Sequence, residues 1–287
     1  MKKLEKILKG HKHLVFFDFE GTQYSAEMIA IGAIAVSIDR NGFIKNRKPP
    51  ITIYVKAKNK IGKFVTELTG ITEEMLKEKG VSFLDAMKQL KKYVGLSFNK
   101  STFITYNNHD MRILNQSIAY NLDYPKDICS QIHKNYFDFA AFFDDYIKDK
   151  NGNSLSLVHA CELFEIELAK PAHDPANDAI NLANLYNAFL LKQDIVLEEY
   201  KKSLALIRHV PDPIKKVLIK LNNNEHITPE EYSAILKESL KWLSILTERN
   251  IPQLLRKESK QKASFLFLAL IEVWILKKIL MLQIFTI

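Results

Sequence analysis

The sequence predicts an α/β fold, a mixed five-stranded sheet flanked by helices, followed by an all-helical C-terminal extension. Three observations carry this. Five short apolar or alternating stretches read as strands, the segments between them place apolar residues at helical spacing, and from about Asp194 only the helical pattern continues.

"HLVFFDF" (13–19), "MIAIGAIAVSI" (28–38) and "ITIYVKA" (51–57) form the opening strands, and an Asn41-Gly42 turn signal between the last two suits an antiparallel meander. "VSFLDAMKQLKKYVGL" then sets Phe83, Met87, Leu90 and Val94 on one helical face, ahead of the short strand "TFITY". A helix from about His109, a strand near "NYFDF", a helix through Phe142 and Phe143 and another across "SLSLVHACELFEI" come next. "AKPAHDPANDAINLANLY" (169–186) supplies the last helix of this region. Asp174 can cap it, Pro175 suits its first position, and Asp178 falls in the first turn, where the helix dipole favours a carboxylate. Ala179, Ala183, Tyr186 and Leu190 recur at three- and four-residue steps and make a stripe facing a core.

In the extension, "DIVLEEYKKSLALI", "PDPIKKVLIKL" and "TPEEYSAILKESLKWLSILTE" each carry a capping or proline start signal and an apolar face. The terminal stretch 263–287 is apolar on nearly every side. Glu272 and the Lys277-Lys278 pair interrupt it, so no run of about 20 apolar residues is there to span a bilayer. A buried or partner-docking helix is the first reading and a membrane-surface helix the second.

The chain has 287 residues and a net charge of +8 from 41 basic and 33 acidic side chains, with the tail after residue 190 more basic per residue than the rest. That excess fits a polyanionic partner and, equally, a solvated lysine-rich surface. Cys129 and Cys161 show neither metal-type nor disulfide-framework spacing and are expected to be reduced, buried thiols in a cytoplasmic protein. The basic N-terminus contains an apolar run of only Leu14 to Phe17, too short for a signal peptide.

Three acidic patches follow one another along the chain. Asp18 and Glu20 stand two apart at a strand end, so both project from one face, where they repel unless a cation lies between them. A hard divalent ion such as Mg²⁺ is the ordinary solution; two solvated acids are the plain alternative. Asp110 lies where a strand runs into a helix that Asn107 or Asn108 can cap. His173 and Asp178 form the third patch, at the start of the last α/β helix. Each patch alone is satisfied by local helix or strand chemistry.

Together and in this order, "FFDFEGT", "TYNNHDMRIL" and "HDPANDA" resemble the three motifs of the DEDDh 3′-5′ exonucleases, the DnaQ-like family of the ribonuclease-H-like fold. "ELTGITEEML" (67–76) resembles the family's usual segment between the first two, and the resemblance spans residues 12–192. It implies an exonuclease domain over 1–192, with 193–287 as a helical region of separate role. It also implies two divalent ions, Mg²⁺ or Mn²⁺, held by Asp18, Glu20, Asp110 and Asp178, with Asp18 bridging both and His173 as general base. The implied substrate is the 3′ end of single-stranded RNA or DNA, released as nucleoside monophosphates. Phe64, Leu68 and Thr69 are the implied candidates for the 3′-end pocket; packing between helices is the other reading of all three. Asn107, Asn108 and His109 stand where many members have smaller or apolar residues, and Asn107 and His109 are expected to line the pocket. A proofreading-type polymerase subunit, and a regulatory or scaffolding protein that keeps the fold, are the alternatives, with a protein partner docking on the C-terminal helices.

Overall fold

The computed structural model describes residues 2–171 and 173–205 and scattered positions between 219 and 237. Its elements, in chain order, are α1 (Lys2–Leu8), β1 (His13–Gly21), β2 (Met28–Ile38), β3 (Ile44–Arg47), β4 (Ile51–Tyr54), α2 (Lys63–Thr69), α3 (Glu73–Lys79) and α4 (Phe83–Val94). A 3₁₀ turn over Gly95–Lys100 leads to β5 (Ser101–Thr105), α5 (His109–Tyr120), α6 (Lys126–Lys134), β6 (Tyr136–Asp138), α7 (Phe139–Phe143), α8 (Leu157–Leu163), α9 (Pro175–Leu191) and α10 (Gln193–Ala205). The chain divides into two compact units: Met1–Ile147 with Ser154–Gln193, and Lys148–Asn153 with the chain from Asp194. The first holds the sheet and all the acidic patches. The helices expected in 211–221, 228–248 and 263–287, with their partner-docking and membrane-surface readings, fall on residues outside or largely outside those described. Among the described residues no helix is long and apolar enough to cross a membrane.

The sheet is mixed and has six strands, not five, in the order β3-β2-β1-β5-β6 with β4 also paired to β2. β1 runs antiparallel to β2 and parallel to β5, which is parallel to β6. The additional strand is β3. It pairs with the C-terminal part of β2 (Val36 opposite Arg47) while β4 pairs with the N-terminal part (Ala33 opposite Ile51), so the two lie in line along one edge. Pro49 and Pro50 separate them, because proline offers no N–H to a ladder. β3 reads "IKNR" and its last three residues are exposed, so it lacks the apolar alternation that marks a strand.

β1 is covered on both faces, which is why it reads as a continuous apolar run. Val15, Phe17 and Phe19 share a core with Met87 and Leu90 of α4, Ile113 and Leu114 of α5, and Ile128 and Ile132 of α6. Phe17 and Phe19 stack at 4.4 Å. On the opposite face Phe16 meets Tyr186 of α9 at 5.4 Å, and Phe139 of α7 meets the same ring at 5.8 Å. Asp18 and Glu20 belong to this second face by strand alternation. α9 carries the expected stripe: Ala179, Ala183, Tyr186 and Leu190 are all buried, and the Tyr186 hydroxyl donates to Gly42 O at 3.0 Å, tying the helix to the β2–β3 turn. α6 is an element that the sequence reading passed over; it is only nine residues long, although Ile128, Cys129 and Ile132 do mark an inward face.

Candidate active site

β1, β5 and β6 are parallel, so their carboxyl ends open on one side of the sheet, the side where α/β sheets present their ligand sites. The β1–β5 ladder stops at Phe16 opposite Ile104. Beyond it β5 departs through Tyr106–Asn108, and the Phe19 N–H, left without a strand partner, donates instead to Asp110 Oδ1 at 2.7 Å. This bond, across 91 residues, docks the first turn of α5 against the end of β1. Asp110 itself is only 4% exposed.

The loop before α5 is held by its own polar groups. Asn107 has φ +85°, a left-handed conformation that asparagine tolerates, and its Oδ1 accepts the His109 N–H at 2.7 Å. Asn108 occupies the cap position without a side-chain bond, so of the two asparagines it is Asn107 that serves the helix start. The Tyr136 hydroxyl donates to Asn107 O at 3.0 Å. His109 lies exposed at the start of α5, its imidazole held below the usual value by partial burial and by Arg112 beside it.

The third patch sits on α9. Asp174 accepts the Asn177 N–H at 3.0 Å, making the predicted cap, and Pro175 follows at the first helical position. His173 lies just outside the helix, exposed, with φ +59°. Its N–H donates to the Asp178 carboxylate, which burial holds above the usual range even though His173 and an Asn181 hydrogen bond act the other way. The helix reaches the carboxylates because of a glycine. Gly32 pairs with Asp18 across the β1–β2 ladder, and a Cβ there would lie 1.9 Å from Pro175 C, 2.0 Å from its O and 2.3 Å from Ala176 N. The first turn of α9 therefore rests on bare β2 backbone directly beside Asp18. Gly32 was not singled out in the sequence; a lone glycine inside an apolar strand is the signal for such a close approach.

Electrostatics unite the patches. Burial, then the charges of Asp110, Asp178 and Asp174, push Asp18 well above the usual carboxylate range. Burial, Asp18, Asp178 and Asp174 push Glu20 up to about 8. Asp110 is also raised, by burial and by Glu20 and Asp138, even though the Phe19 N–H opposes the shift. Asp138, at the end of β6 as the cap of α7, and Asp174 thus add to an acidic field that was legible only as four residues. Among the described residues, the basic side chain beside any of these acids is His173, next to Asp178. All the donors are hard carboxylate oxygens, the chemistry of a Mg²⁺ or Mn²⁺ site. Among the described residues no three His, Cys, Asp or Glu side chains already stand together as one ion's ligands.

The implied pocket residues divide. Phe64 and Leu68, one turn apart on α2, are 60% and 41% exposed, so neither is a packing residue. Thr69 is engaged internally: its hydroxyl donates to Val65 O at 2.8 Å and accepts the Ile71 N–H at 3.1 Å.

The family model described as RNase_T, exonuclease, matches residues 15–186. No curated protein matches the sequence. Among solved structures, cell-death related nuclease 4 (CRN-4) is similar at a TM-score of 0.51 and 20% identity, over 63% of this chain and 64% of that one. The chain therefore spans under two thirds of that relative. The nuclease domain of 3′hExo, a DEDDh family member bound to rAMP, is similar at a TM-score of 0.51 and 17% identity, over 65% of this chain and 95% of that domain. A zinc-bound E. coli ExoI–ssDNA complex gives a TM-score of 0.50 at 20% identity, over 69% of this chain and 45% of that one. With its mixed sheet, its flanking helices and a family match over more than half its length, the chain belongs to the RNase_T exonuclease family and has an RNase H-like fold.

Proposed function

We propose that the protein is a divalent-metal-dependent 3′-5′ exonuclease that removes nucleoside monophosphates from single-stranded RNA or DNA. The observation that carries this reading is the gathering of acids at the carboxyl end of β1: Asp18 and Glu20 on one face, buried Asp110 held by the Phe19 N–H, and the start of α9 with Asp178 resting on Gly32 beside Asp18. So many acids brought together at a cost is what a cation site requires and what a structural cluster avoids. Asp18, Glu20, Asp110 and Asp178 would hold the ions. Two bound divalent ions supply a water acidified to neutral pH and charge neutralisation on the attacking and leaving oxygens.

The chain's own groups do the rest. His173, on the loop ahead of α9 and tethered through its N–H to Asp178, takes the proton of the attacking water. Phe64 and Leu68 offer an apolar platform to the terminal nucleotide, with the Thr69 backbone, Asn107 and His109 bordering it. The Asn107 side-chain oxygen serves the start of α5, which leaves its amide N–H groups without a partner among the described residues.

His173→Ala is expected to lower turnover by roughly 10²- to 10⁴-fold, the usual contribution of a general base. Mn²⁺ binding, followed by titration calorimetry, is expected to stay at the wild-type level. Wild-type turnover in this variant would remove His173 from the chemistry.

A further inference from the structure

The segment "VKAKNKIGK" (55–63) leaves β4 and crosses the end of the sheet where the carboxylates stand. Hydrogen bonds trace its path. The Val55 N–H donates to Ile29 O at 2.8 Å, the Lys58 and Asn59 N–H groups each donate to the Glu27 carboxylate at 2.9 Å, and the Gln23 N–H donates to Ile61 O at 2.8 Å. The partners step from residue 29 to 27 to 23, so the segment runs from the outer edge of the sheet toward the exit of β1 and Glu20.

Glu27 is 2% exposed and also accepts the Asn59 side-chain N–H at 2.9 Å. A carboxylate is buried at this cost only when its hydrogen bonds are filled, and here they are filled by the segment's backbone. The chain bends here, so that the consecutive Lys58 and Asn59 N–H groups both point at this one carboxylate. Val55 and Ile61 are buried and Asn59 reaches Glu27, whereas Lys56, Lys58 and Lys60 are exposed. The Lys56 stem lies along Gly80, and the Lys58 ammonium donates to Tyr120 O at the end of α5. Among the described residues none of the three pairs with a carboxylate. Neighbouring residues are at most about 3.6 Å apart along a chain, so the three cations, all within 56–60, form one basic cluster. Where the segment ends, Tyr24 is 85% and Phe64 60% exposed, and the Gln23–Ile61 bond brings the loop of the first beside the helix start of the second.

A site built of carboxylates repels a polyanion until a positive surface beside it draws the strand in. Basic residues leading to exposed aromatic rings are the means by which single strands are held without sequence preference. We propose that Lys56, Lys58 and Lys60 are a phosphate track that guides single-stranded nucleic acid onto Tyr24 and Phe64 and so to the acidic site. This rests on the exonuclease reading above.

The test is fluorescence anisotropy of a labelled single-stranded oligonucleotide with the full chain, in EDTA, across a salt series. Removing three phosphate contacts by Lys56→Ala/Lys58→Ala/Lys60→Ala is expected to weaken binding and to lower the slope of log K against log salt by about 2, at roughly 0.7 per contact. Lys12, Lys45 and Lys100 lie at the opposite end of the sheet, beside His13 and Ser101, and their triple alanine variant removes the same charge. It is expected to bind with the wild-type slope. A triple arginine replacement at 56, 58 and 60 is expected to bind as wild type, with thermal melting verifying that each variant is folded. Equal weakening in both alanine triples, no weakening in the first, or failure of the arginine triple would each overturn the track. Wild-type protein that neither binds nor cuts any single strand would remove the exonuclease reading itself; cutting with an unchanged slope in the first triple would remove the track alone.

Discussion

Asp18→Ala is expected to abolish metal-dependent hydrolysis, a loss of about 10³-fold or more, while making the metal-free protein more stable. The two effects have one cause. Asp18 stands beside Asp110, Asp178 and Asp174, and its charge is also what most raises Glu20 after burial. A carboxyl raised in the folded state binds its proton more tightly there than in the unfolded chain, so its contribution is fully present below its ordinary value and is lost as pH rises through the folded one. For Glu20 that window runs from 4.5 to about 8. The metal-free wild type should therefore lose melting temperature between pH 5 and pH 8. Asp18→Ala should lose less and melt a few degrees higher at pH 8. Added Mn²⁺ should stabilise the wild type most at the alkaline end, where the ligands are ionised, and should leave Asp18→Ala unmoved. Calorimetric melts at the two pH values, with and without Mn²⁺, read all of this. A lower metal-free melting temperature in the variant would make Asp18 a structural residue.

Gly32→Ala is expected to cost about 10²-fold in turnover without touching any group that meets the substrate. The atoms a Cβ would strike are the backbone of Pro175 and Ala176, at 1.9 to 2.3 Å, and backbone cannot rotate away as a side chain can. Ordinary contact begins at 3.4 Å, so the start of α9 would have to retreat by roughly 1.5 Å in an otherwise close-packed interior. That displacement carries His173 and Asp178 away from Asp18. Overpacking adds about 1 to 3 kcal/mol of destabilisation. Gly32→Ala with full turnover would show that α9 does not set the position of the site.

The sheet and the three acidic patches were legible because each declares itself locally. β1 and β2 are buried on both faces and read as apolar runs, and the capping of α9 is written in Asp174 and Pro175 within a few residues. Local signals also explain what was hidden. β3 has no alternation to betray it, since its residues pair by backbone alone on an exposed edge, and α6 is only nine residues long. The bonds that assemble the site join distant positions: Phe19 to Asp110, and Gly32 to Pro175 across 143 residues of chain. Sequence periodicity describes a face but never the partner that covers it. Asp138 escaped notice for the same reason. Its role as a helix cap is local, whereas its proximity to Asp110 arises only when β5 and β6 lie side by side.

The central claim, that the acids at the end of β1 make this chain a metal-dependent exonuclease acting from the 3′ end, is tested most directly by digestion of matched 5′-labelled single-stranded RNA and DNA. Reactions contain Mn²⁺, Mg²⁺ or EDTA, with Asp18→Ala alongside. The account predicts a ladder shortening from the 3′ end with either or both ions, no products in EDTA and none from the variant. Products in EDTA, equal cutting by Asp18→Ala, or intact substrate under every condition would contradict it.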